Sequence, residues 1–425
     1  MGKIYSSAQL TIVASVGEDP SYGLPGLTPN DEKLSFEYEK IKRLTVILRP
    51  LNSIASITVS KWGTRGWTYQ EGYLSRKRIF FTNKGIHYIC NANTTRAALH
   101  RFLPRPDQHL PPSKPYSEVS TWTFRLAPLT RNLEAYSARQ LSVDSDALNA
   151  ITGALNAQKT NKLPVHHLWG IPILETDIDF DLTSPKNLSK GRVQPGAPRS
   201  IEFLLQWNHY RPCRRRPEFP SWSFLGWAGR IFYSPWPRQI HLGEHFNIHN
   251  LEQSGDIDKL SAEAHLLFEA KENPRFSLSP PGSHYLDVTL YTIALVLVDV
   301  VWDDDGTRNG YHVAVALRDD LEVYFPVKWS RDPAEISQSS PLTGALFISE
   351  RRIRKPKSST VVFVLEKHGD HYERIGLCVF QGFKLRVVRS DLRKGSKVTV
   401  NQWAEQHVSM YEWQEMATRQ RVVIG

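Results

Sequence analysis

Between Ser60 and Phe81 the chain reads SKWGTRGWTYQEGYLSRKRIFF, and four of its residues could do chemistry together: Trp62, Arg65, Trp67 and Glu71. If Arg65 to Leu74 is helical, Trp67, Glu71 and Leu74 fall at i, i+4 and i+7. One carboxylate then shares the face that two large apolar residues would bury. A carboxyl half-buried beside indole rings is pushed toward protonation, which suits it to proton transfer or to gripping a ligand hydroxyl. The competing account is an ion pair, since Arg65, Arg76 and Arg78 are close in sequence and a buried acid seldom lacks a partner. The indoles have the same double reading, as stacking surfaces for a flat ring or as core. Arg65 divides between a phosphate contact and pairing with an acid. The spacing alone leaves each alternative open.

The elements that must position these residues read as mixed helix and strand. A short helix carrying Ile4 and Ala8 leads into a strand over Leu10 to Val16. The loop GEDPSYGLPGL, Gly17 to Leu27, follows at a strand's carboxyl end, where open α/β sheets place ligands. IKRLTVIL and IASITV suggest strands or an inserted hairpin, and RIFF and IHYIC form a strand pair behind the Trp67 helix. Five prolines between Phe102 and Tyr116 mark a loop and a domain edge. ARQLSVDSDALNAITGALN predicts an amphipathic helix with Leu148, Ile151, Ala154 and Leu155 on its apolar face behind Asp144. PSWSFLGWAG reads as a strand with Trp222 and Phe224 inward and Ser221 and Ser223 opposite. From Tyr285 onward LDVTLYTIALVLVDVVW, HVAVAL, LEVYFPV, GALFIS, TVVFVLEK and RIGLCVF predict a β-rich domain. NQWAEQHVSMYEWQEMATRQ closes the chain as a ragged helix.

Composition narrows the class. The chain has 425 residues, beyond the roughly 250 to 300 that one core serves, so more than one domain is expected. Its 12 tryptophans and 27 prolines suit loops pinned by aromatic packing. Cys90, Cys213 and Cys378 are too widely spaced for a disulfide framework or a Cys-x-x-Cys metal knuckle, which suits a reducing, cytoplasmic setting. No export signal is legible at the start, and the longest apolar run, Val288 to Val301, is too short for a membrane helix and carries Asp299. A net charge of +10 permits nucleic-acid contact without requiring it, and the runs RPCRRRPEF and RRIRKPK read as solvated surface. His166 and His167 are adjacent and diverge, and Asp303 to Asp305 lack the spacing of a calcium loop, so no metal site is expected. The nucleophile-elbow, P-loop and dinucleotide fingerprints do not occur.

MGKIYSSAQLTIVA, GLPGL and SKWGTRGWTYQEGYLSRKRIFFT, in that order and spacing, resemble the fungal heterokaryon-incompatibility (HET) domain. The likeness covers roughly residues 1 to 95, and RQLSVDSDALNAITGAL, HHLWGI and PSWSFLGWAGRI resemble extensions that such proteins carry. The family's opening motif, a strand with an aspartate, a cysteine and a glutamine, would fall before Met1, so the domain reads as N-terminally truncated. The resemblance implies a TIR-like open-sheet fragment over residues 1–95, a proline-rich linker and helical segment over 96–200, and a β-rich domain over 201–425. It implies a protein of nonself recognition that promotes programmed cell death, acting with protein partners and neither nucleic acid nor membrane. HET domains are similar to TIR domains, some of which cleave NAD with a glutamate on a helix after a tryptophan-bearing turn. By that likeness Glu71 would be the catalytic acid, Trp62, Arg65 and Trp67 the ligand contacts, a small nucleotide the ligand and NAD the substrate, with no cofactor required. Whether the chain is an enzyme stays open; the alternative is a noncatalytic recognition or scaffold protein binding partners through its β-rich region and basic loops.

Overall fold

The structure is a computed structural model, and it describes residues 2–27, 38–42, 44–47, 57–83, 85–91, 129–158, 165–174, 204–233, 247–248, 284–302, 308–318, 321–336, 341–347, 359–381, 384–389, 393–394, 397–400, 404–407 and 417–425. The chain divides into two units, Met1–Gly170 and Ile171–Gly425. The first mixes helix and strand and the second is β-rich, as the sequence patterns predict.

In the first unit α1 (Gly2–Ser7) leads into β1 (Thr11–Ala14). Gly17 turns the chain at φ +91°, and a Cβ there would stand 2.5 Å from the Tyr22 side chain, so the loop after β1 needs glycine. A hairpin of β2 (Tyr38–Ile41) and β3 (Leu44–Ile47) follows, folded around the first apolar run alone; the second run, IASITV, is not the expected strand at its end, since Ile57 to Val59 are helical. Next come α2 (Lys61–Thr64), α3 (Thr68–Leu74), β4 (Lys77–Thr82) and β5 (Gly85–Cys90). The sheet order is β1-β4-β5, with β1 parallel to β4 and β4 antiparallel to β5. Strand alternation sends Val13 and Phe80 to the face that Trp62 covers, and the Trp62 and Phe80 rings meet edge to face at 5.3 Å.

The helix expected from Arg65 to Leu74 is shorter than its periodicity suggests. Arg65 is extended and forms a parallel bridge with Gln140, while α3 starts only at Thr68 with Trp67 at its N-cap. The Gly66 amide donates to the Gln140 carbonyl at 2.7 Å, and the Gln140 amide to Thr64 at 2.6 Å. A Cβ on Gly66 would lie 2.3 Å from Leu141 Cδ2, so this glycine lets a distant segment reach the backbone, and that contact splits the helix in two. Local periodicity cannot register such a partner.

That segment belongs to a helical layer against α3. Residues 129–137 are helical, and a 3-10 turn at Asp144–Ala147 leads into α4 (Asn149–Gln158), so the amphipathic helix begins later than expected. Ile151, Ala154 and Leu155 are buried as the pattern requires. At Gly153 a Cβ would stand 1.9 Å from Gln70 Oε1, and Gln70 Nε2 donates to the Asn149 carbonyl at 2.7 Å. Tyr69 stacks with Tyr73 and meets Tyr136 edge to face at 5.4 Å. The strand Val165–Leu168 carries His166 and His167.

In the second unit the strand Leu286–Trp302 organises thirteen strands. Its first half pairs with Thr418–Ile424 and Leu342–Phe347, its second half with Arg308–Arg318 and, in parallel, Lys397–Val400. One apolar run therefore serves as backbone partner on both edges along its length. Ser359–His368 and His371–Gln381 form a hairpin, and Leu321–Pro326 adds to Arg308–Arg318. The core joins Ile293, Leu297, Val313, Val323, Phe325, Val364 and Ile375.

Three expectations fail in this unit. The closing segment is strand at Ala404–His407 and Thr418–Ile424 rather than helix, because long-range pairing satisfies its backbone. Ser221 to Phe224 do not alternate as a strand: all four are buried, and Ser223 caps a 3-10 turn at Phe224–Gly226. Arg216, in the run read as solvated surface, is buried and donates to the Trp227 carbonyl at 2.7 Å, while Arg215 pairs with Glu373 at 3.2 Å. Segment RRIRKPK lies outside the described residues.

Candidate functional site

Glu71 stands in the middle of α3, half-exposed, with two donors facing it. Trp62 Nε1 donates to Glu71 Oε2 at 3.0 Å. Tyr5 is the second: burial raises its phenol above the ordinary range, and the negative charge of Glu71 and a hydrogen bond to it add to that. Both partners are neutral. Among the described residues no arginine or lysine lies within ion-pair distance of this carboxylate.

The arginines close in sequence go elsewhere. Arg78 is buried and donates to the Gly72 carbonyl near the C-terminal end of α3 and to Asn91 Oδ1. Arg65 is exposed, and its backbone is held by the Gln140 bridge. Arg139 takes the place near the indole: its guanidinium carbon lies 5.7 Å from the Trp62 ring centroid and 5.3 Å from that of Tyr69. Its Nη1 donates to the Arg65 carbonyl at 3.0 Å and to Thr68 Oγ1 at 2.8 Å. Thr68 Oγ1 in turn donates to the Arg65 carbonyl at 2.7 Å and is hydrogen-bonded to that of Trp62, so one hydroxyl ties the end of α2 to the start of α3. Burial lowers the Arg139 guanidinium to about 10, an effect opposed by Tyr69, Tyr136 and the Glu71 carboxylate.

Of the four residues singled out by sequence, Trp62 and Glu71 are joined directly. Trp62 is 8% exposed, with Phe80 at its edge and Arg139 over its ring, so protein groups cover its ring and only Nε1 meets the carboxylate. Trp67 is half-exposed and donates from Nε1 to Asp146 Oδ2 at 3.0 Å, which leaves part of its ring open. Arg65 has its side chain exposed. The loop after β1 is tied to α2 by Lys61, whose Nζ lies 2.6 Å from Glu18 Oε2 and 2.7 Å from the Glu18 carbonyl. Sequence reasoning missed Tyr5 and Arg139. Arg139 opens the RQLSVDSDALNAITGAL segment, but nothing in its spacing from Glu71 shows that the two approach one indole.

The second unit holds other titratable groups. Arg374 is fully buried between the Trp207 and Phe363 rings, at 3.8 and 4.2 Å, and donates to the Leu205 and Trp207 carbonyls. Buried His209 meets Ser330 Oγ through Nδ1 at 3.1 Å, and burial, with the Arg374 charge, lowers it to about 3. Both sit in the core beyond a ligand's reach. Glu366 holds Arg331 and His368 together, the latter at 2.8 Å. Among the described residues no group of three His, Cys, Asp or Glu side chains is arranged to hold a metal, and no helix is long and apolar enough to cross a membrane.

Residues 1–71 match the family model described as Heterokaryon incompatibility protein (HET). No curated protein and no solved structure matches the chain. The matched span ends at Glu71, so it includes Tyr5, Trp62 and the carboxylate they hold, while Arg139 lies beyond it.

Proposed function

With a heterokaryon-incompatibility segment at residues 1–71 as the premise, we propose that the first unit is the effector of an incompatibility response that ends in cell death, and that it acts by hydrolysing NAD at Glu71. The observation carrying this reading is the environment of that carboxylate. An acid placed on a helix for stability would be expected to pair with one of its neighbouring arginines. Glu71 is instead held at half-exposure by two neutral donors, Trp62 Nε1 and the Tyr5 hydroxyl, which fix its direction without consuming its charge.

In the reaction the bond from the ribose anomeric carbon to the nicotinamide nitrogen breaks, and its electron pair goes to the ring nitrogen, which leaves as neutral nicotinamide. Positive charge develops on the ribose, where a fixed carboxylate stabilises it in a partly dehydrated site. Glu71 would also accept hydrogen bonds from the ribose hydroxyls. Water adds to the anomeric carbon and releases a proton, giving ADP-ribose. The half-exposed ring of Trp67 is the surface on which the flat leaving group could stack, and the exposed Arg65 side chain a phosphate contact.

The test is nicotinamide release from NAD by the purified chain and by Glu71→Gln, paired with survival of fungal cells expressing either form. Release and death by the first, and neither by the second, are expected. No release by the unaltered chain, or equal release by both, overturns the hydrolytic reading. Death without release would favour a recognition protein that signals by binding.

A further inference from the structure

We infer that Arg139 is the anion-binding residue of the Glu71 site, taking the phosphates of a nucleotide whose ribose hydroxyls the carboxylate holds. This rests on the nucleotide reading above and adds a residue that lies outside the family-matched span.

Three features of the site carry it. Glu71 and Arg139 flank one indole: the carboxylate sits on Trp62 Nε1, and the guanidinium lies over the ring. Opposite charges so placed, yet not within ion-pair distance, suit a ligand carrying hydroxyls at one end and an anion at the other. Next, the guanidinium keeps donors in hand. A guanidinium has five N–H bonds, and the hydrogen bonds of Arg139 to Arg65 and Thr68 both leave from Nη1. Its Nε is buried without a hydrogen-bond partner among the described residues. Arg215, Arg331 and Arg374 also have a buried Nε with no hydrogen bond, so what sets Arg139 apart is its place beside the Trp62 indole that Glu71 shares, where a planar guanidinium can engage phosphate oxygens in pairs. Last, its fixed position is independent of the ligand, since the Arg65 carbonyl, Thr68 Oγ1 and the Tyr69 ring hold it. Binding would not need to order this side chain, which favours affinity.

The experiment measures binding by isothermal titration on the full chain, using NAD and its phosphate-free fragment nicotinamide riboside. Glu71→Gln should weaken both ligands by similar factors, because both carry the ribose. Arg139→Gln should weaken NAD at least tenfold and leave the riboside within twofold. Arg139→Lys keeps the charge and loses the fork, and should fall between. In the unaltered chain inorganic pyrophosphate should displace NAD and leave the riboside bound, a readout that needs no variant to fold. If Arg139→Gln and Arg139→Lys weaken both ligands equally, Arg139 only braces the Trp62 to Thr68 turn and the inference fails. Failure of pyrophosphate to compete also overturns it. If the unaltered chain binds neither ligand, the nucleotide reading itself fails and takes this one with it.

Discussion

The hydrogen bond from Trp62 Nε1 to Glu71 Oε2 invites a double-mutant cycle, because everything proposed for the carboxylate depends on its being held there. Trp62→Phe removes the donor but keeps an aromatic ring against Phe80. A hydrogen bond to a charged acceptor is worth about 1.5 to 3 kcal/mol, and the half-exposure of Glu71 places this one near the lower bound. The smaller ring leaves space in a site only 8% exposed and weakens the contact with Arg139, adding about 1 kcal/mol. Glu71→Gln retains an oxygen that accepts from the indole but loses charge assistance, which roughly halves the bond and costs about 1 kcal/mol. The cycle should therefore show a coupling of about 1 kcal/mol, beyond the roughly 0.3 to 0.5 kcal/mol scatter of independent sites. Native-state amide exchange of α3 in the full chain is the suitable assay, since it reports the opening of one element in a protein of two units. Additive effects would refute the reasoning, because the bond would then contribute nothing and the carboxylate would be free to rotate.

Gly153→Ala should destabilise α3 and α4 by about 1 to 2 kcal/mol, since the new Cβ displaces Gln70 from its bond to Asn149; in a Gln70→Ala background the same change should be nearly silent by thermal unfolding. His209 is held near 3, below the ordinary 6.5, so the unfolded chain binds the proton more tightly between those values. Stability of the second unit is then complete above pH 6.5 and falls as pH drops toward 3, by up to about 1.4 kcal/mol per pH unit, and His209→Gln should flatten that slope in urea titrations. Arg374→Lys should destabilise the same unit by about 2 to 4 kcal/mol, as one ammonium cannot serve both the Leu205 and Trp207 carbonyls while lying flat between two rings; an unchanged urea midpoint would contradict this.

The predictions differ in how far sequence alone could have reached them. Several strands were legible where alternation or an apolar run met a turn: β1, β4, β5 and Leu286–Trp302 fall where their patterns put them, whereas Ser221 to Phe224 and Ile57 to Val59 do not. Basic residues were misread for a specific reason. A run of arginines looks solvated by composition, but Arg216 finds backbone carbonyls inside the core, and composition does not count acceptors. In the closing segment Thr418–Ile424 is strand because Leu286–Trp302 offers it an edge, and Ala404–His407 because Lys384–Arg389 does.

The sequence by itself determined that an acid would stand among tryptophans in a helix of a mixed α/β unit, since side-chain types and spacing are local properties. It also carried the family likeness, which lies in the same short span. Only the tertiary structure decided which groups hold that acid. Tyr5 comes from α1, and Arg139, which lies over the same indole, from the segment that splits the expected helix at Gly66. Hydrogen bonds and ring contacts between residues dozens of positions apart depend on where the chain folds back, and no periodicity within either segment encodes that distance.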